Sequence, residues 1–449
     1  MFCSKSLSTR YIMQLRILVL LVAVCCTVRL SSGQCAMASD STQCSPWVAT
    51  WGSAMTEAFN GGAPDITGQT LRLIVHTSLG GSKTRIWLSN RFGAAPIRIG
   101  SAHIAVSVDP GANATPAPTL DQSAITVGTD RTLTFNGDTA VTIPPGATIV
   151  SDPATLDVPA LANLAVSLYF PDPTLAATLH PGAQQSSYLA TGDATGAADL
   201  AGRSWTRNSW YFLTGIDVYA PGASAVVALG DSITDGNHST PNANRRWPDD
   251  LAVRLAQNPA TRKAGVLGVV NAGTSGSRLL LDGDGPNAMA RLNWDVLDRS
   301  GVRYLILFEG INDIEAQTRV HQPYDALVKQ LEWGLAQIAT QAHDRGIKVF
   351  VATQMTDCRN FQCTWPEGEK ARTAFNEWTR TAKLFDGLID FDLITRDPQH
   401  PTQLLEQYNS GDYVHPNDAG YHAMADAIDL SLFTSDPPQP LHRGDLVSH

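Results

Sequence analysis

The chain has 449 residues, of which 43% are hydrophobic and 16% are charged, and its formal net charge at pH 7 is −10. This length exceeds what one ordinary hydrophobic core accommodates, so two domains are expected. The composition is that of a globular protein, which excludes a collagen-like or low-complexity chain. The acidic balance also argues against nucleic acid or an anionic membrane as a partner, whereas neutral substrates are not disfavoured.

The first 33 residues differ from the rest of the chain. Lys5, Arg10 and Arg16 precede an apolar run from Ile17 to Val28, and small polar residues follow. The run is shorter than the roughly 20 residues of a membrane-spanning helix, which favours a cleaved signal peptide at 1–33 over a membrane anchor. Its removal takes away four basic residues and leaves 28 basic against 42 acidic side chains, a net charge of −14. We therefore expect a secreted or periplasmic protein with no stable membrane insertion after cleavage.

The cysteines support an exported chain. Beyond the leader they form two closely spaced pairs, Cys35 with Cys44 and Cys358 with Cys363. Disulfide bonds persist outside the cytosol, so both pairs are expected to be bridged. Cleavage after Gly33 keeps both pairs, whereas cleavage after Ala38 would remove Cys35, and we therefore prefer the earlier position.

Residues 47–220, which follow a short segment at 34–46, have the pattern of an all-β domain. The candidate strands are rich in β-branched residues and are Thr70–Leu79, Lys83–Asn90, Ile97–Val108, Arg131–Gly137 and Leu161–Phe170. Repeated short strands bounded by Gly, Pro, Asn and Asp favour a β-sandwich or jelly-roll-like fold. The stretch His180–Gly202 is expected to be an exposed connection.

Residues 221–434 have a different pattern, in which apolar strands alternate with amphipathic helices. The predicted strands are Ala225–Ser232, Val266–Gly273, Tyr304–Gly310, Lys348–Met355 and Gly387–Leu393. The predicted helices lie near Trp247–Gln257, Asn287–Leu297, Tyr324–Ala342, Gly368–Lys383 and Asp418–Leu432. This alternation predicts a parallel sheet covered on both faces, with ligands bound beyond the carboxyl ends of the strands. The proline-containing tail at 435–449 is expected to be disordered.

The first strand of this domain stops abruptly in "VVALGDSITDG", where Ser232 follows Gly230 and Asp231. Such a turn can hold the serine hydroxyl at the edge of a sheet as a nucleophile. The alternative is a helix N-cap, because Asp, Ser and Thr cluster where a helix would begin. The triplet alone leaves both interpretations open.

A serine nucleophile needs a base and a group that orients the base. Among the eleven histidines, His415 is the strongest candidate, because Asp412 lies three residues earlier in "GDYVHPNDAGY" and can reach the imidazole. His238 is closer to Ser232 in sequence but lacks an equally well-placed carboxylate. The alternative makes Asp412 a turn residue and His415 a solvated residue before the last helix.

Two further strand ends carry candidate donors for a developing oxyanion. "NAGTSG" offers a backbone N–H at Gly273 or Gly276, and "EGIND" offers the side-chain amide of Asn312. Each segment alone is more simply a turn after a strand. The four segments together, in one domain and all at strand ends, favour a single site.

These four blocks strongly resemble those of the G-D-S-L or SGNH hydrolase family. "GDSI" matches the first block with Ile233 in place of the usual leucine, and "NAGTSG", "GIND" and "DYVH" match the other three. The resemblance covers roughly residues 222–434. It implies a three-layer, flavodoxin-like α/β/α fold and ester hydrolysis that needs neither a metal nor another cofactor.

The same resemblance implies a role for each matched residue. Ser232, Asp412 and His415 would form the catalytic triad. The backbone N–H groups of Ser232 and Gly276 and the side chain of Asn312 would form the oxyanion hole, and the family's spacing selects Gly276 over Gly273.

A weaker resemblance concerns the first half of the chain. An all-β domain that opens with "WVATWGSAM" before such a hydrolase domain resembles a subgroup of secreted esterases associated with xylan-degrading systems. It implies a small-molecule or carbohydrate ester as substrate, with acetyl or another short acyl group removed. The alternatives are an acylhydrolase for longer chains and a non-catalytic polysaccharide-binding protein. No oligomeric state is predicted.

Overall fold

The computed structural model describes residues 45–58, 62–108, 122–200, 202, 204–320, 322–356, 359, 362–365 and 367–434. The predicted signal peptide, the tail at 435–449 and three cysteines, Cys35, Cys44 and Cys358, lie outside the described residues. The cleavage site and both disulfide bonds therefore stay predictions. None of the described helices is long and apolar enough to cross a membrane.

The first half of the described chain is built from short strands. These are Trp47–Gly52 (β1), Thr56–Glu57 (β2), Gln69–His76 (β3), Gly81–Ser89 (β4), Ile97–Ile99 (β5), Ser101–Val106 (β6), Arg131–Thr132 (β7), Val141–Ile143 (β8), Thr148–Val150 (β9), Ala154–Val158 (β10), Asn163–Phe170 (β11), Thr178–Pro181 (β12), Ser187–Thr191 (β13), Ser204–Arg207 (β14), Ser209–Tyr211 (β15) and Leu213–Tyr219 (β16).

These strands pair in antiparallel sheets, which confirms the predicted all-β fold of this region. Within the described residues, one main sheet has the order β1-β16-β4-β10, with β9 beside β4, and the other has the order β14-β13-β3-β11-β6-β7. Alternate side chains of β3 and β4, such as Leu71, Leu73, Ile86 and Leu88, are buried in a common core. Burial of one face of each sheet against the other is what stabilises such a fold.

Three sequence predictions in this region need correction. Arg131–Gly137 is not a strand over its whole length, because only Arg131–Thr132 is β7. Ile97–Val108 is not one strand, because it is interrupted at Gly100 and forms β5 and β6 in different sheets. His180–Gly202 is not an exposed connection, because it contains the end of β12 and all of β13, and His180 is 1% exposed. The strands there are too short, and their surroundings too rich in Gly and Ser, to display two-residue alternation.

The second half is an α/β domain, as predicted. Its strands are Ser224–Gly230 (β17), Leu267–Gly273 (β18), Val302–Phe308 (β19), Lys348–Ala352 (β20) and Gly387–Ile389 (β21). Its α-helices are Ser232–Asp235 (α1), Trp247–Gln257 (α2), Pro259–Ala264 (α3), Ala288–Leu292 (α4), Ile311–Val320 (α5), Tyr324–His343 (α6), Gly368–Thr381 (α7), Phe391–Thr395 (α8) and Asp418–Ala427 (α9), and a π-helical turn spans Asn293–Leu297.

The strands of this domain form a parallel sheet in the order β18-β17-β19-β20-β21. This is the flavodoxin-like order, in which the first strand lies between the second and the third. Val226 and Ile306 pack on one face with α2 and α9, while Val227 and Leu305 pack on the other face with α6. The sheet therefore has helices on both faces, which confirms the three-layer prediction.

The register of the sheet positions the site. Gly230 is paired with Gly273 on β18 and with Phe308 on β19, so three strands end side by side. A Cβ atom on Gly230 would collide with Thr234 Oγ1, and one on Gly273 would collide with the backbone of Asp235. The two glycines therefore let α1 pack directly against the strand ends.

Candidate active site

Ser232 lies at the turn between β17 and α1. The side chain of Asp231 accepts a hydrogen bond from the N–H of Ile233 at 2.9 Å, so Asp231 is the N-cap of the helix. Ser232 is the first helical residue, and its hydroxyl is not used for capping. The interpretation of Ser232 as an N-cap is therefore wrong.

His415 and Asp412 complete a chain of hydrogen bonds with Ser232. His415 Nε2 lies 2.8 Å from Ser232 Oγ, and His415 Nδ1 lies 2.6 Å from Asp412 Oδ2. The other carboxylate oxygen of Asp412 accepts the backbone N–H groups of Val414 and His415, both at 2.9 Å. These contacts place the three residues in the order that a serine nucleophile and its base require.

The electrostatics of Asp412 determine which nitrogen of His415 is the acceptor. Partial burial acts to raise the pKa of Asp412, but the hydrogen bonds from the His415 side chain and from the backbone N–H groups of His415 and Val414 outweigh it and hold this pKa well below its ordinary value. An ionised carboxylate only accepts hydrogen bonds, so Nδ1 of His415 carries the proton. In the neutral imidazole, Nε2 then accepts the hydroxyl proton of Ser232.

His238 also contacts this group, which the sequence interpretation did not foresee. Its Nε2 atom lies 3.3 Å from Asp412 Oδ2, and its ring stacks on that of His415 with centroids 5.4 Å apart. His238 contacts the carboxylate rather than Ser232, so its position does not match that of the base. Among the described residues, one group of at least three side chains brings potential metal-ligating atoms close together. It consists of His238, Asp412 and His415, whose ligand atoms lie within 4.8 Å of one another.

Gly276 lies in the turn after β18. Its φ is +71°, and an added Cβ atom would lie 2.5 Å from Asp284 Oδ2, so both the backbone conformation and the space favour glycine. In the described chain, the backbone N–H groups of Gly276 and Ser232 donate no hydrogen bond to protein atoms. Both N–H groups are thus free to donate to a ligand, as the oxyanion-hole prediction requires.

Asn312 lies in the first turn of α5, just beyond the end of β19. Its side-chain amide donates a hydrogen bond to the carbonyl oxygen of Ser277 at 2.8 Å. An amide nitrogen has two donors, so this contact fixes the orientation of the group and leaves a second N–H. The contact also joins Asn312 directly to the turn that carries Gly276.

A buried ionic network underlies the three strand ends. Arg291 donates to the carbonyl oxygens of Gly230 at 2.9 Å and Ala272 at 2.6 Å, and forms ion pairs with Glu309 at 2.8 Å and Asp295 at 3.0 Å. Arg291 therefore ties the ends of β17 and β18 to the segment after β19. Its charge keeps the buried carboxylates partly compensated.

Burial dominates the titration of this network. It raises the pKa of Glu309 to about 8 and the pKa of Asp231 to about 7, although Arg291 acts in the opposite direction in both cases. Both residues are completely buried, and Glu309 Oε2 and Asp231 Oδ2 have no hydrogen-bond partner in the described structure. Burial thus shifts both acids beneath the site toward their neutral forms.

This shift predicts how stability depends on pH. A carboxyl group with a higher pKa in the folded than in the unfolded chain stabilises the fold fully below its unfolded pKa, and this contribution is lost as pH rises through the folded pKa. For Glu309 the window runs from its ordinary 4.5 to about 8. We expect the unfolding free energy, measured with urea, to fall between pH 5.5 and pH 8.5, and to fall less in Glu309→Gln. Glu377→Gln, at an exposed position, is the control, and equal pH dependence in all three proteins would contradict the assignment.

The all-β region also reaches the site, through His180. His180 Nδ1 lies 2.7 Å from the carbonyl oxygen of Ala54, and its Nε2 lies 2.9 Å from Asp235 Oδ1. The other oxygen of Asp235 accepts the hydroxyl of Ser275 at 3.1 Å, next to Gly276. A buried histidine from β12 therefore supports the turn that contains Gly276. Nothing in the local sequence around His180 indicates this contact.

Comparison with known proteins gives the family. Residues 226–428 match the family described as GDSL-like Lipase/Acylhydrolase. No curated protein shows a significant match to the chain.

Solved structures with similar folds include a GDSL-like lipase from Bacteroides thetaiotaomicron (20% identity, TM-score 0.35, 46% of this chain and 87% of that one). A member of the lipolytic protein G-D-S-L family from Veillonella parvula is also similar (19% identity, TM-score 0.33, 46% and 96%). A carbohydrate esterase family 2 enzyme with a carbohydrate-binding domain, from Corynascus thermopiles, is similar over 84% of this chain and 97% of its own (14% identity, TM-score 0.34).

The matched region contains all four blocks and all of the parallel sheet except the first two residues of β17. It also contains Ser232, Gly276, Asn312, Asp412 and His415, which the structure places at the ends of neighbouring strands or in hydrogen-bond contact. Residues 226–428 therefore form a GDSL-like lipase/acylhydrolase domain, and the protein is a carboxylic ester hydrolase.

Proposed function

We propose that the protein is a secreted serine esterase that removes short acyl groups, acetyl above all, from carbohydrate through an acyl-enzyme. The observation that carries the catalytic part is the hydrogen-bond chain from Ser232 Oγ through His415 to Asp412, with contacts of 2.8 and 2.6 Å. The predicted signal peptide supports the secreted location.

In the first step, Ser232 Oγ attacks the ester carbonyl carbon while His415 Nε2 takes up the hydroxyl proton. The carbonyl oxygen becomes an oxyanion, which accepts hydrogen bonds from the backbone N–H groups of Ser232 and Gly276 and from Asn312. The tetrahedral intermediate then breaks its bond to the leaving oxygen, which takes the proton from His415. Asp412 stabilises the imidazolium throughout this step.

In the second step, water replaces the alcohol. His415 Nε2 removes a proton from the water molecule as its oxygen attacks the acyl carbon. The second tetrahedral intermediate uses the same donors and releases Ser232 Oγ, which recovers its proton from His415. The products are the free acid and the unmodified enzyme.

The role of Asn312 gives a testable magnitude. Asn312→Ala is expected to lower kcat by roughly a hundred- to a thousandfold, because one preorganised oxyanion donor is lost, while KM changes little. Steady-state kinetics on p-nitrophenyl acetate measures both constants. Asn293→Ala, at an exposed position outside the site, is the matched control. A loss of less than about threefold in a folded Asn312→Ala protein would remove Asn312 from the oxyanion hole.

The surface beside the oxyanion turn supports a carbohydrate as the alcohol. Asp282 and Asp284 are exposed on the loop that touches Gly276, and His238 and Tyr413 are exposed near Asp412. Exposed carboxylate, imidazole and phenol groups can hydrogen-bond to sugar hydroxyls. Such polar surroundings give a long hydrocarbon chain little apolar surface to bury.

One observation favours the alternative of a longer acyl chain. Leu281, on the same loop, is 65% exposed. An exposed leucine beside the site could cover part of an acyl chain and gain apolar burial. The two possibilities differ in the dependence of rate on chain length.

The test is hydrolysis of p-nitrophenyl esters from acetate to decanoate, followed by acetate release from acetylated xylan. The proposal predicts a steep fall in kcat/KM beyond the shortest chains and acetate release from the polymer. Leu281→Ser should then leave the profile unchanged. A maximum at octanoate or decanoate that Leu281→Ser shifts to shorter chains would replace the proposal with the longer-chain alternative.

A further inference from the structure

A cavity lies between the all-β region and the α/β domain, far from the catalytic serine. Its volume is about 330 Å³, at the lower end of the roughly 300–1,000 Å³ of small-molecule sites. Its lining residues come from β1, β4 and β16 on one side and from the segment 294–300 on the other. Interfaces between domains are frequent positions for ligand sites.

The cavity is separate from the active site. On the side of the α/β domain, the residues that line the cavity, including Ser300, come before Val302 in the chain. Val302 is at the amino end of β19. Ser232 follows Gly230, which is paired with Phe308 at the carboxyl end of the same strand. Seven residues of extended strand correspond to about 20 Å, so the two sites are at opposite edges of the sheet.

The walls of the cavity are aromatic. Trp51, Trp87 and Trp294 line it together with Met55. The Nε1 atom of Trp87 donates to Asp217 Oδ2 at 2.8 Å, which fixes its ring. Indole rings offer flat apolar faces that pack against the C–H faces of a pyranose, while their edges remain polar.

One buried donor in this cavity lacks an acceptor, and a half-buried arginine lies against it. Trp294 Nε1 is buried and has no hydrogen-bond partner in the described structure. The guanidinium of Arg91 stacks on the Trp294 ring at 3.8 Å and forms no ion pair within the described part of the chain. Asp295 and Asp298 attract the charge of Arg91, but each has another cationic partner, Arg291 at 3.0 Å for Asp295 and the exposed Arg345 at 3.8 Å for Asp298. Asp217 is paired with Arg85 at 2.9 Å. A buried donor without an acceptor is costly, so a ligand with anionic oxygen atoms would be stabilised here.

The position of Trp294 adds an independent observation. It lies in the π-helical turn Asn293–Leu297, which directly follows α4 and forms the second half of the helix predicted for residues 287–297. Such π-helical turns are uncommon and are frequently found at functional sites.

We propose that this cavity binds a single saccharide unit that bears a carboxylate, a uronic acid, with its ring against the indoles and its carboxylate at Arg91 and Trp294. The site would hold an acidic glycan on the protein while Ser232 acts elsewhere on it or on a neighbouring chain. It does not depend on the identity of the ester that Ser232 hydrolyses.

The test is saturation-transfer-difference NMR with D-glucuronate, D-glucose and benzoate on the folded Ser232→Ala protein. We expect saturable binding of glucuronate. Glucose should bind more weakly by about tenfold or more, because it cannot form the charged hydrogen bond, and benzoate should bind more weakly by a similar factor, because it lacks the sugar ring. Arg91→Gln should weaken glucuronate binding by about tenfold. Trp294→Phe, which keeps a smaller aromatic ring and removes the N–H, should also weaken it. Arg98→Gln, at an exposed arginine on β5, should not.

Several results would overturn the proposal. These are the absence of glucuronate binding, equal binding of glucose, stronger binding of benzoate, or unchanged glucuronate binding in a folded Arg91→Gln protein. In the Ser232-containing enzyme, Arg91→Gln is expected to hydrolyse p-nitrophenyl acetate at the original rate. A loss of that activity without unfolding would contradict the separation of the two sites.

Discussion

Ser232→Ala is expected to lower the kcat for p-nitrophenyl acetate on the order of a millionfold, as the loss of the nucleophile does in serine hydrolases. In the described site, no other group lies at hydrogen-bond distance from His415 Nε2. No second nucleophile can therefore take the place of Ser232. The oxyanion donors would remain, but they would have no covalent intermediate to stabilise. Progress curves with the purified variant, compared with a blank reaction, measure the residual rate.

The control for this change is another buried serine in the same turn region. Ser239 is 2% exposed, and its hydroxyl has no hydrogen-bond partner within the described residues. Ser239→Ala should therefore retain full activity. If Ser232→Ala retains activity within tenfold of the original enzyme, the hydrolysis does not proceed through Ser232.

The second large effect is expected for His415→Ala, which should lower kcat by about 10⁵-fold or more because Ser232 loses its base. His238→Ala should cost less than tenfold. His238 is 46% exposed in its side chain and touches Asp412 at 3.3 Å, whereas His415 contacts Ser232 directly at 2.8 Å. Kinetics of both variants on the same ester separate the two histidines.

The comparison is informative because the two rings are stacked and share one carboxylate. In His238→Ala, Asp412 still accepts the N–H groups of Val414 and His415, so the orientation of His415 is preserved. His422→Ala, in which an exposed histidine of α9 is replaced, is the control for general effects. Equal losses for His238→Ala and His415→Ala would mean that the base is not His415 alone.

The sequence predicted the α/β domain well because its signals are local. Apolar strands such as Val226–Gly230 and amphipathic helices such as Trp247–Gln257 carry their pattern within a few residues. Asp412 and His415 could be paired for the same reason, since three residues separate them. The four blocks could then be assigned to one site because parallel strands end at one edge of a sheet.

The parts that the sequence did not reveal depend on contacts between distant segments. His180 reaches Asp235 across 55 residues, and no periodicity near either residue signals that contact. His238 could be proposed as a base, but its contact with Asp412 follows only from the folded turn. The helix Ile311–Val320 was not anticipated, because its first turn carries the polar residues Asn312 and Asp313 and resembles a loop.

For the first half of the chain, the sequence predicted the all-β fold class correctly but several individual strands incorrectly. Short strands such as Ser187–Thr191 contain too few residues to show alternation. The division of the chain at residue 221 also gave no hint that Arg299 would donate to the carbonyl oxygens of Ser53 at 3.2 Å and Thr214 at 2.6 Å. These contacts join the two halves, and Arg299 and Thr214 also line the cavity that contains Trp294.

Ser232, activated by His415, is expected to form a covalent intermediate with the substrate. Intact-mass and peptide mass spectrometry detects such an activated serine after incubation with an ethyl p-nitrophenyl phosphonate, which transfers its phosphonyl group to the serine and releases p-nitrophenol. We expect one adduct per chain on the peptide that contains Ser232, and none in Ser232→Ala or His415→Ala. An adduct on another residue, or unlabelled Ser232 in a protein that still hydrolyses esters, would contradict this mechanism.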